Sequence, residues 1–483
     1  MLKISTLSDV KKLFNTTYSD IHIYAMAASH WSRAYFTTEF IPNYTCVAMT
    51  DFLESEIVGK SVKTLTARPH TEEPAYNRST KFFLDKKLAQ KINETSNNLI
   101  LSYSLDSERE LFFKEHNWHI ATVDSNITEK IENKLEFRKM FSNTCNFPKH
   151  IFVDIADFNY NDIKEKLGDT FVVQIPNSSG GQGTFIISSE SDISSSLKKI
   201  NLYRSSRKKA VLDNTLVASE FKKGSSGSAC GVATKWGTFT SPAQYQITSA
   251  AEVAHKNKGD GVFNGHDWVL SQSISESIKN KIDIETKAIG DELYKMGYRG
   301  YFGVDFIIDN ENEQSYIIEC NPRITGAEPV IDMMLIDQGR IPLMALHLIE
   351  HIEARINSGI TLDYESIQSS IKSSPQDSSH VILGSHSSEP QRFIFNIKPG
   401  VYTFENNRLI FQRDGYSVVD LKNENEFILT EMVHSMDIIK PYNRIARILF
   451  KTQIIEKEKK FTSFAINVIN EVYKSADMIG LSN

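Results

Sequence analysis

Two neighbouring stretches decide the fold: residues 300–308 read GYFGVDFII and residues 316–323 read YIIECNPR. Both are apolar runs of strand length separated by an acidic turn, so they predict a β-hairpin. Because side chains alternate across a strand, Glu319 and Asn321 share one face and Cys320 lies on the other. Pairing of the two strands would add Asp305 to the first face. The sequence therefore predicts two carboxylates and an amide oxygen close together on one sheet.

This acidic face suits a hard cation. Mg²⁺ is coordinated by carboxylate and carbonyl oxygens of a protein together with phosphate oxygens of a substrate. Mn²⁺ is the alternative ion. Zn²⁺ is disfavoured because no His or Cys accompanies Asp305, Glu319 and Asn321 on that face. The competing interpretation is an exposed sheet face. It is disfavoured because carboxylates surrounded by apolar residues are costly unless they are paired or metal-bound.

A guanidinium follows the same strand. Arg323 lies two residues beyond Asn321, so it stays on the acidic face if the strand continues through Pro322. There it could stabilise charge on a transferring phosphoryl group or an acyl-phosphate. An ordinary ion pair with Glu319 or Glu328 is the alternative.

A small-residue loop, SSGGQG at residues 178–183, interrupts an apolar stretch that begins at Thr170. Small residues allow a loop to approach a phosphate and offer it backbone N–H groups. A Gly/Ser hairpin turn explains the pattern equally well. The loop is neither a Walker loop, since no Lys-Ser/Thr follows, nor a dinucleotide fingerprint, since Thr184 begins a strand.

The rest of the chain predicts an α/β protein of several units. Strands alternate with helices near the N-terminus, which is typical of βαβ units and a parallel, Rossmann-like sheet. Residues 356–390 are rich in Ser and poor in large apolar residues, which predicts a linker or mobile segment. The predicted units are an α/β domain (1–125), two subdomains (126–220 and 221–355), the linker (356–390) and a small β-rich domain with a terminal helix (391–483).

Composition excludes several classes of protein. The net charge is −6 and Lys and Arg are dispersed, so no nucleic-acid partner is expected. The four cysteines form no CxxC pair, which disfavours a zinc site and a disulfide framework. No apolar run is long enough to span a bilayer, and the first residues lack the pattern of a secretory signal. We therefore expect a cytoplasmic protein without a membrane partner.

Taken together, residues 130–350 resemble the ATP-grasp superfamily, which includes biotin carboxylase and D-alanine–D-alanine ligase. The resemblance implies that ATP binds between two subdomains behind an α/β domain, with a small β-rich domain following. It assigns nucleotide contacts to Lys134, to Ser178, Ser179, Gly180, Gly181 and Gly183 of the loop, and to Glu220 and Phe221 at the hinge. It assigns Mg²⁺ to Asp305, Glu319 and Asn321, and a catalytic role to Arg323.

One position departs from the family. The strand before the loop usually carries a second phosphate-binding lysine, but Gln174 stands there. Gln can donate a hydrogen bond to adenine or phosphate but adds no positive charge. We therefore expect the geometry or the affinity of ATP binding to differ from the common pattern.

The activity that the resemblance implies is an ADP-forming ligase that activates a carboxylate and joins it to an amine, with an amino acid or peptide as substrate. A phosphotransferase and a non-catalytic nucleotide-binding protein are the alternatives. For the substrate, Arg33 follows a predicted strand end, where α/β sheets bind ligands, and residues 244–268 could form a loop over the site. Association as a homodimer stays open.

Overall fold

The computed structural model describes residues 2–68, 75–76, 80–123, 125–178, 183–205, 214–253, 261–435, 437–441, 443–456 and 460–480. The chain is mixed α/β, as predicted, and its described strands form a five-stranded, a four-stranded and an eleven-stranded sheet together with three two-stranded sheets. None of the helices in these ranges combines the length and the hydropathy needed to cross a bilayer.

The N-terminal unit is a parallel five-stranded sheet with the order β4-β3-β2-β6-β7. The parallel βα arrangement that the sequence predicted for this region is confirmed. Its elements are β1 (Lys3–Ile4), α1 (Leu7–Asn15), β2 (His22–Ala27), β3 (Tyr44–Ala48), α2 (Ser55–Gly59), β4 (Lys63–Thr66), β5 (Ala75–Tyr76), α3 (Lys86–Ile92), β6 (Asn98–Ser102), α4 (Ser107–Glu115) and β7 (His119–Ile120).

Two short helices and a four-stranded antiparallel sheet follow, with the order β10-β9-β11-β8. The two helices are separated at Asn133, whose side chain accepts from the backbone N–H groups of Leu135 and Glu136 and so caps the second helix. The elements are α5 (Ser125–Glu132), α6 (Lys134–Met140), β8 (His150–Asp154), α7 (Tyr160–Leu167), β9 (Phe171–Gln174), β10 (Thr184–Ile187), α8 (Glu190–Ser205) and β11 (Thr215–Glu220).

An eleven-stranded antiparallel sheet fills the remainder. Its path is β17-β16-β12-β14-β15-β19-β25-β23-β21-β22, with β13 paired to β12. From β12 to α12 the elements are β12 (Ser225–Thr234), β13 (Gly237–Thr240), β14 (Gln244–Thr248), β15 (Phe263–Asp267), α9 (Trp268–Ser271), α10 (Glu276–Lys295), β16 (Gly300–Asp309), β17 (Gln314–Asn321), α11 (Glu328–Asp337) and α12 (Leu343–Ile356).

The last part of the chain extends the same sheet. Its elements are β18 (Thr361–Leu362), α13 (Tyr364–Lys372), β19 (Ser379–Gly384), β20 (Gln391–Phe395), β21 (Gly400–Glu405), β22 (Arg408–Arg413), β23 (Glu426–Thr430), β24 (Asp437–Ile438), β25 (Arg444–Phe450), α14 (Ser463–Lys474) and β26 (Ala476–Gly480). The apolar face predicted for the terminal helix is buried, through Ala465, Val468, Ile469 and Val472.

The prediction of a linker or mobile segment at residues 356–390 is wrong. β19 is buried along its whole length between β15 and β25, and α13 buries Ile367 and Ile371 in the core. Composition misled because the serines of this segment are small enough to be buried in a sheet, while four-residue spacing gives α13 its apolar face. The segment joins the two predicted domains on either side of it into one sheet.

This correction predicts a stability effect. Ile371→Ala removes a side chain that is 0% exposed, so we expect it to lower the free energy of unfolding by about 2–5 kcal/mol. Ile356→Ala, the same substitution at a side chain that is 38% exposed, serves as the control. Chemical denaturation of both variants provides the measurement, and equal small losses would restore the interpretation as a linker.

Candidate functional site

The predicted hairpin forms, and it brings the predicted acidic residues together. β16 and β17 pair so that Asp305 is opposite Glu319 and Gly303 is opposite Asn321. The Asn321 amide donates to Asp305 Oδ2 at 2.9 Å, and Gln246 of β14 donates to Asp305 Oδ1 at 2.7 Å. The convergence of two carboxylates and an amide is therefore confirmed, while their role as metal ligands stays a prediction.

Cations flank this pair of carboxylates. Lys134, at the start of α6, is buried, and its Nζ lies 2.8 Å from Glu319 Oε2 and donates to the backbone oxygen of Ser178 at 2.6 Å. Arg323 donates to Asn321 Oδ1 at 2.7 Å and forms an ion pair with Glu132 at 3.1 Å. The alternative partners considered for Arg323, Glu319 and Glu328, are not its hydrogen-bond partners, although Glu319 contributes to its electrostatic environment.

The two carboxylates titrate differently. Burial and the neighbouring Glu319 raise the pKa of Asp305 to about 7. Burial also acts to raise the pKa of Glu319, but the Lys134 ammonium, the Arg323 guanidinium and a hydrogen bond with Asp305 together lower that pKa below its ordinary value. Two carboxylates that lie directly opposite each other on paired strands repel when both are charged, unless a cation lies between them. The donor set fits Mg²⁺, although no cluster of three His, Cys, Asp or Glu residues occurs in the described part of the chain.

A first cavity, of about 560 Å³, lies between the four-stranded sheet and strands β12, β14, β16 and β17. Its lining includes most of the described residues predicted to bind nucleotide: Lys134, Gln174, Ser178, Glu220 and Phe221. Glu220 pairs with Lys222 at 2.8 Å, at the rim of the cavity.

Of the predicted loop, Ser179, Gly180 and Gly181 lie outside the described residues. Its two ends, Ser178 and Gly183, are in contact. A Cβ built on Gly183 would lie 2.2 Å from that of Ser178, so only glycine fits this approach. Ile175 donates its backbone N–H to Gly183 O at 2.9 Å, which closes the loop.

The sequence analysis missed Arg138. This guanidinium is 1% exposed, lines the first cavity and donates to Gln174 Oε1 at 3.3 Å, while its Nε and Nη1 have no hydrogen-bond partner. Burial lowers its pKa to about 10. The signal was its position four residues after Lys134, which places both side chains on one face of a helix.

A second cavity, of about 430 Å³, lies on the other side of the carboxylates. Asp305, Glu319 and Gln246 line both cavities. The N-terminal sheet contributes the carboxyl ends of β2 and β6, and the last part of the chain contributes Glu431, Arg444 and Arg447. The strand order reverses at β2, which has β3 on one side and β6 on the other. Open α/β sheets bind ligands at the carboxyl ends of the strands beside such a reversal.

Two sequence hypotheses about the substrate come out differently. Arg33 lines the second cavity but is 2% exposed and bonded to Glu328 Oε2 at 2.7 Å, so its charge is already neutralised. Residues 244–268 supply two strands of the long sheet, β14 and β15. Of the residues between these strands, 249–252 and Gly261 line the first cavity, and residues 254–260 lie outside the described residues. From this segment Gln246 and His266 reach the second cavity.

Residues 131–327 match the family model described as an ATP-grasp domain. A [butirosin acyl-carrier protein]–L-glutamate ligase from Niallia circulans is 26% identical over 137 residues. That alignment spans 28% of this chain and 30% of the relative, so it covers under a third of the relative's length.

Solved structures share the fold over nearly the whole chain. A carboxyaminoimidazole ribonucleotide synthase from Aspergillus clavatus, complexed with ATP, is 12% identical with a TM-score of 0.52, covering 94% of this chain and 99% of that one. A biotin carboxylase from Campylobacter jejuni, in complex with a nucleotide, is 14% identical with a TM-score of 0.56, covering 96% and 93%. At these identities the likeness concerns the fold alone.

Proposed function

We propose that this chain is an ATP-dependent ligase that activates a substrate carboxylate as an acyl-phosphate. One observation carries the proposal: Asp305 and Glu319 line both cavities, so a nucleotide in the first and an acid in the second would meet at the same two carboxylates. The family match of residues 131–327 supports ATP as the nucleotide. The ligase name of the Niallia circulans relative supports the reaction class.

In the first cavity, Glu220 and Phe221 would contact the adenine, and Lys134 would contact the phosphates together with the loop that Ser178 and Gly183 flank. The volume of about 560 Å³ accommodates a nucleotide. Mg²⁺, held by Asp305, Glu319 and Asn321, would neutralise phosphate charge when bound. These residues fit the ion because buried like charges need a cation between them.

In the reaction, a carboxylate oxygen of the substrate forms a bond to the γ-phosphorus while the bond from that phosphorus to the β–γ bridging oxygen breaks, and ADP leaves. A nucleophile, an amine in our proposal, then attacks the acyl carbon and inorganic phosphate is released. The chain's own residues position these groups and stabilise charge. Arg323, fixed by Asn321, Glu132 and Tyr103, presents a guanidinium to the oxygens that gain charge.

The direct test is formation of ADP from MgATP with a panel of small acids, using hydroxylamine as a surrogate amine. An acyl-phosphate reacts with hydroxylamine to give a hydroxamate, so the natural nucleophile need not be known. We expect ADP and hydroxamate in equal amounts, and removal of the divalent cation to abolish both. ADP without hydroxamate would favour the phosphotransferase, and silence with ATP still bound would favour the non-catalytic binder.

Glu319→Gln removes a carboxylate charge with little change of shape. We expect it to lower turnover by about 1,000-fold, because charge neutralisation at the transferring phosphoryl group is lost. Glu311→Gln, on the exposed turn of the same hairpin, is the matched control. Hydroxamate formation measures both variants, with circular dichroism as the check on folding. Near-normal turnover of Glu319→Gln would refute the metal assignment.

A further inference from the structure

The lining of the second cavity carries more positive than negative charge. Its charged side chains are five arginines and three carboxylates, namely Arg33, Arg109, Arg323, Arg444 and Arg447 against Asp305, Glu319 and Glu431. Four of the arginines form ion pairs with carboxylates: Arg33 with Glu328, Arg109 with Asp106, Arg323 with Glu132, and Arg447 with Glu431. The side chain of Arg444 has no hydrogen bond or ion pair within the part of the chain that the structure describes.

A β-bulge aims Arg444 into this cavity. Gly384 of β19 pairs with Arg444, but the preceding Leu383 pairs with Ala446, so β25 carries one extra residue, Ile445. Arg444 and Arg447 are three residues apart, so on a regular strand their side chains would lie on opposite faces. Because of the extra residue, both side chains lie on the same face. Both guanidinium groups therefore line the same wall. Bulges of this kind re-aim side chains next to active sites.

The potential at this wall is positive. Burial and the neighbouring Arg444 lower the pKa of Arg447, although Glu431 opposes them. Burial and the charges of Arg447 and Arg444 likewise hold the pKa of His380 well below its ordinary value. Glu431, the only carboxylate on this wall among the described lining residues, already accepts from Arg447 and from Ser29 at 2.7 Å each. Its backbone has a φ of 47°, a left-handed conformation that is strained for this residue.

We propose that Arg444 binds a second anionic group of the substrate, so that the acid which this ligase activates is a dicarboxylic or amino-dicarboxylic acid. This inference rests on the proposed function. The reacting carboxylate lies at the Asp305 and Glu319 end of the cavity, and the non-reacting one lies at Arg444. A guanidinium binds a carboxylate through two parallel N–H donors, which fixes orientation as well as affinity.

Chain-length-matched acids test this inference. We expect glutarate and glutamate to exceed pentanoate and norvaline by about 30-fold in kcat/KM for hydroxamate formation, the range expected for a charge-assisted hydrogen bond. A phosphonate analogue of glutarate, in which phosphonate replaces the non-reacting carboxylate, tests whether the second anion is a carboxylate or a phosphoryl group. Arg444→Gln should lower the diacid-to-monoacid ratio about 30-fold, mainly through KM.

Arg408→Gln, an exposed arginine at the start of β22, is the matched control, and Arg444→Lys should recover part of the selectivity because it keeps the charge. Calorimetry with a diacid and MgADP gives a second measurement that needs no turnover. Equal rates with monoacids and diacids, unchanged in Arg444→Gln, would overturn the substrate class and leave the ligase proposal standing. Silence with every acid would contradict the ligase proposal itself.

A second inference follows independently from the first cavity. Among the described residues, the buried Arg138 guanidinium has no hydrogen-bond partner for Nε and Nη1, and its one hydrogen bond goes to the neutral amide of Gln174. Glu319 contributes a favourable electrostatic interaction, but its Oε2 is already bonded to Lys134. A buried charge without a carboxylate partner is strongly unfavourable unless a ligand supplies the anion.

We infer that Arg138 supplies the cation that position 174 lacks and binds the phosphates of the nucleotide beside Lys134. Gln174 then has a positioning role, since its carbonyl oxygen accepts from the Arg138 guanidinium and its Nε2 donates to Thr184 at 3.4 Å. The second positive charge at the phosphates then comes from Arg138 on α6 instead of from a lysine at position 174 on β9. Two cations four residues apart on one helix face would thus serve the same anion.

Nucleotide binding tests this assignment without turnover. We expect Arg138→Met to lower the affinity for MgADP by about 30-fold, the loss expected for one hydrogen bond to a charged group. The affinity for adenosine, which has no phosphate, should change little. Arg138→Met combined with Gln174→Lys should restore most of the MgADP affinity, because the charge returns from the neighbouring strand. Lys139→Met, the next residue of α6 and solvent-exposed, is the control.

Arg138→Gln is a second variant that keeps hydrogen-bonding capacity should Arg138→Met fail to fold, and it should show the same loss for MgADP. Calorimetry and thermal unfolding measure affinity and folding separately. A folded Arg138 variant that binds MgADP as tightly as the parent would overturn the assignment. Equal losses for MgADP and adenosine would also overturn it, since they would indicate a packing role.

Discussion

Two carboxylates held opposite each other on one hairpin are the constraint on which the site depends. Asp305 and Glu319 are cross-strand neighbours, and burial together with their mutual repulsion raises the pKa of Asp305 to about 7. The surrounding fold tolerates them because amide donors and the Lys134 ammonium stabilise the charged forms. The account explains the arrangement as a site poised for a divalent cation and a phosphoryl group.

The long sheet connects this hairpin to the groups that would select the substrate. β17 lies at one edge with β16 beside it, and β25, which carries Arg444 and Arg447, follows after β12, β14, β15 and β19. β19 is the link between them, since it pairs with β15 on one side and β25 on the other. Because one continuous sheet carries both ends, backbone hydrogen bonds fix the distance between the strands that carry Asp305 and Glu319 and the strand that carries the two arginines. That distance would select substrates by the spacing of their two anionic groups.

Local patterns in the sequence were sufficient for the hairpin and the parallel N-terminal sheet, since alternation and strand length determine both. They also placed Lys134, Glu220 and Phe221 by resemblance, and the structure brings these residues to one cavity. Patterns failed around β19, where the buried serines Ser378, Ser379 and Ser385 imitate a linker. Arg138 carried one signal, its spacing of four residues from Lys134, but the sequence does not show that Arg138 and Arg444 lack a hydrogen-bonded carboxylate among the described residues. That absence depends on residues far away in sequence.

The central claim, that a substrate carboxylate is activated as an acyl-phosphate, is most directly tested by isotope transfer. An accepted acid labelled with ¹⁸O in the reacting carboxylate is incubated with MgATP and hydroxylamine, and the released phosphate is analysed by mass spectrometry. Attack of the nucleophile at carbon leaves one carboxylate oxygen on phosphorus, so the account predicts one ¹⁸O atom in each phosphate. Unlabelled phosphate would show that the carboxylate never bonded to phosphorus and would contradict the account.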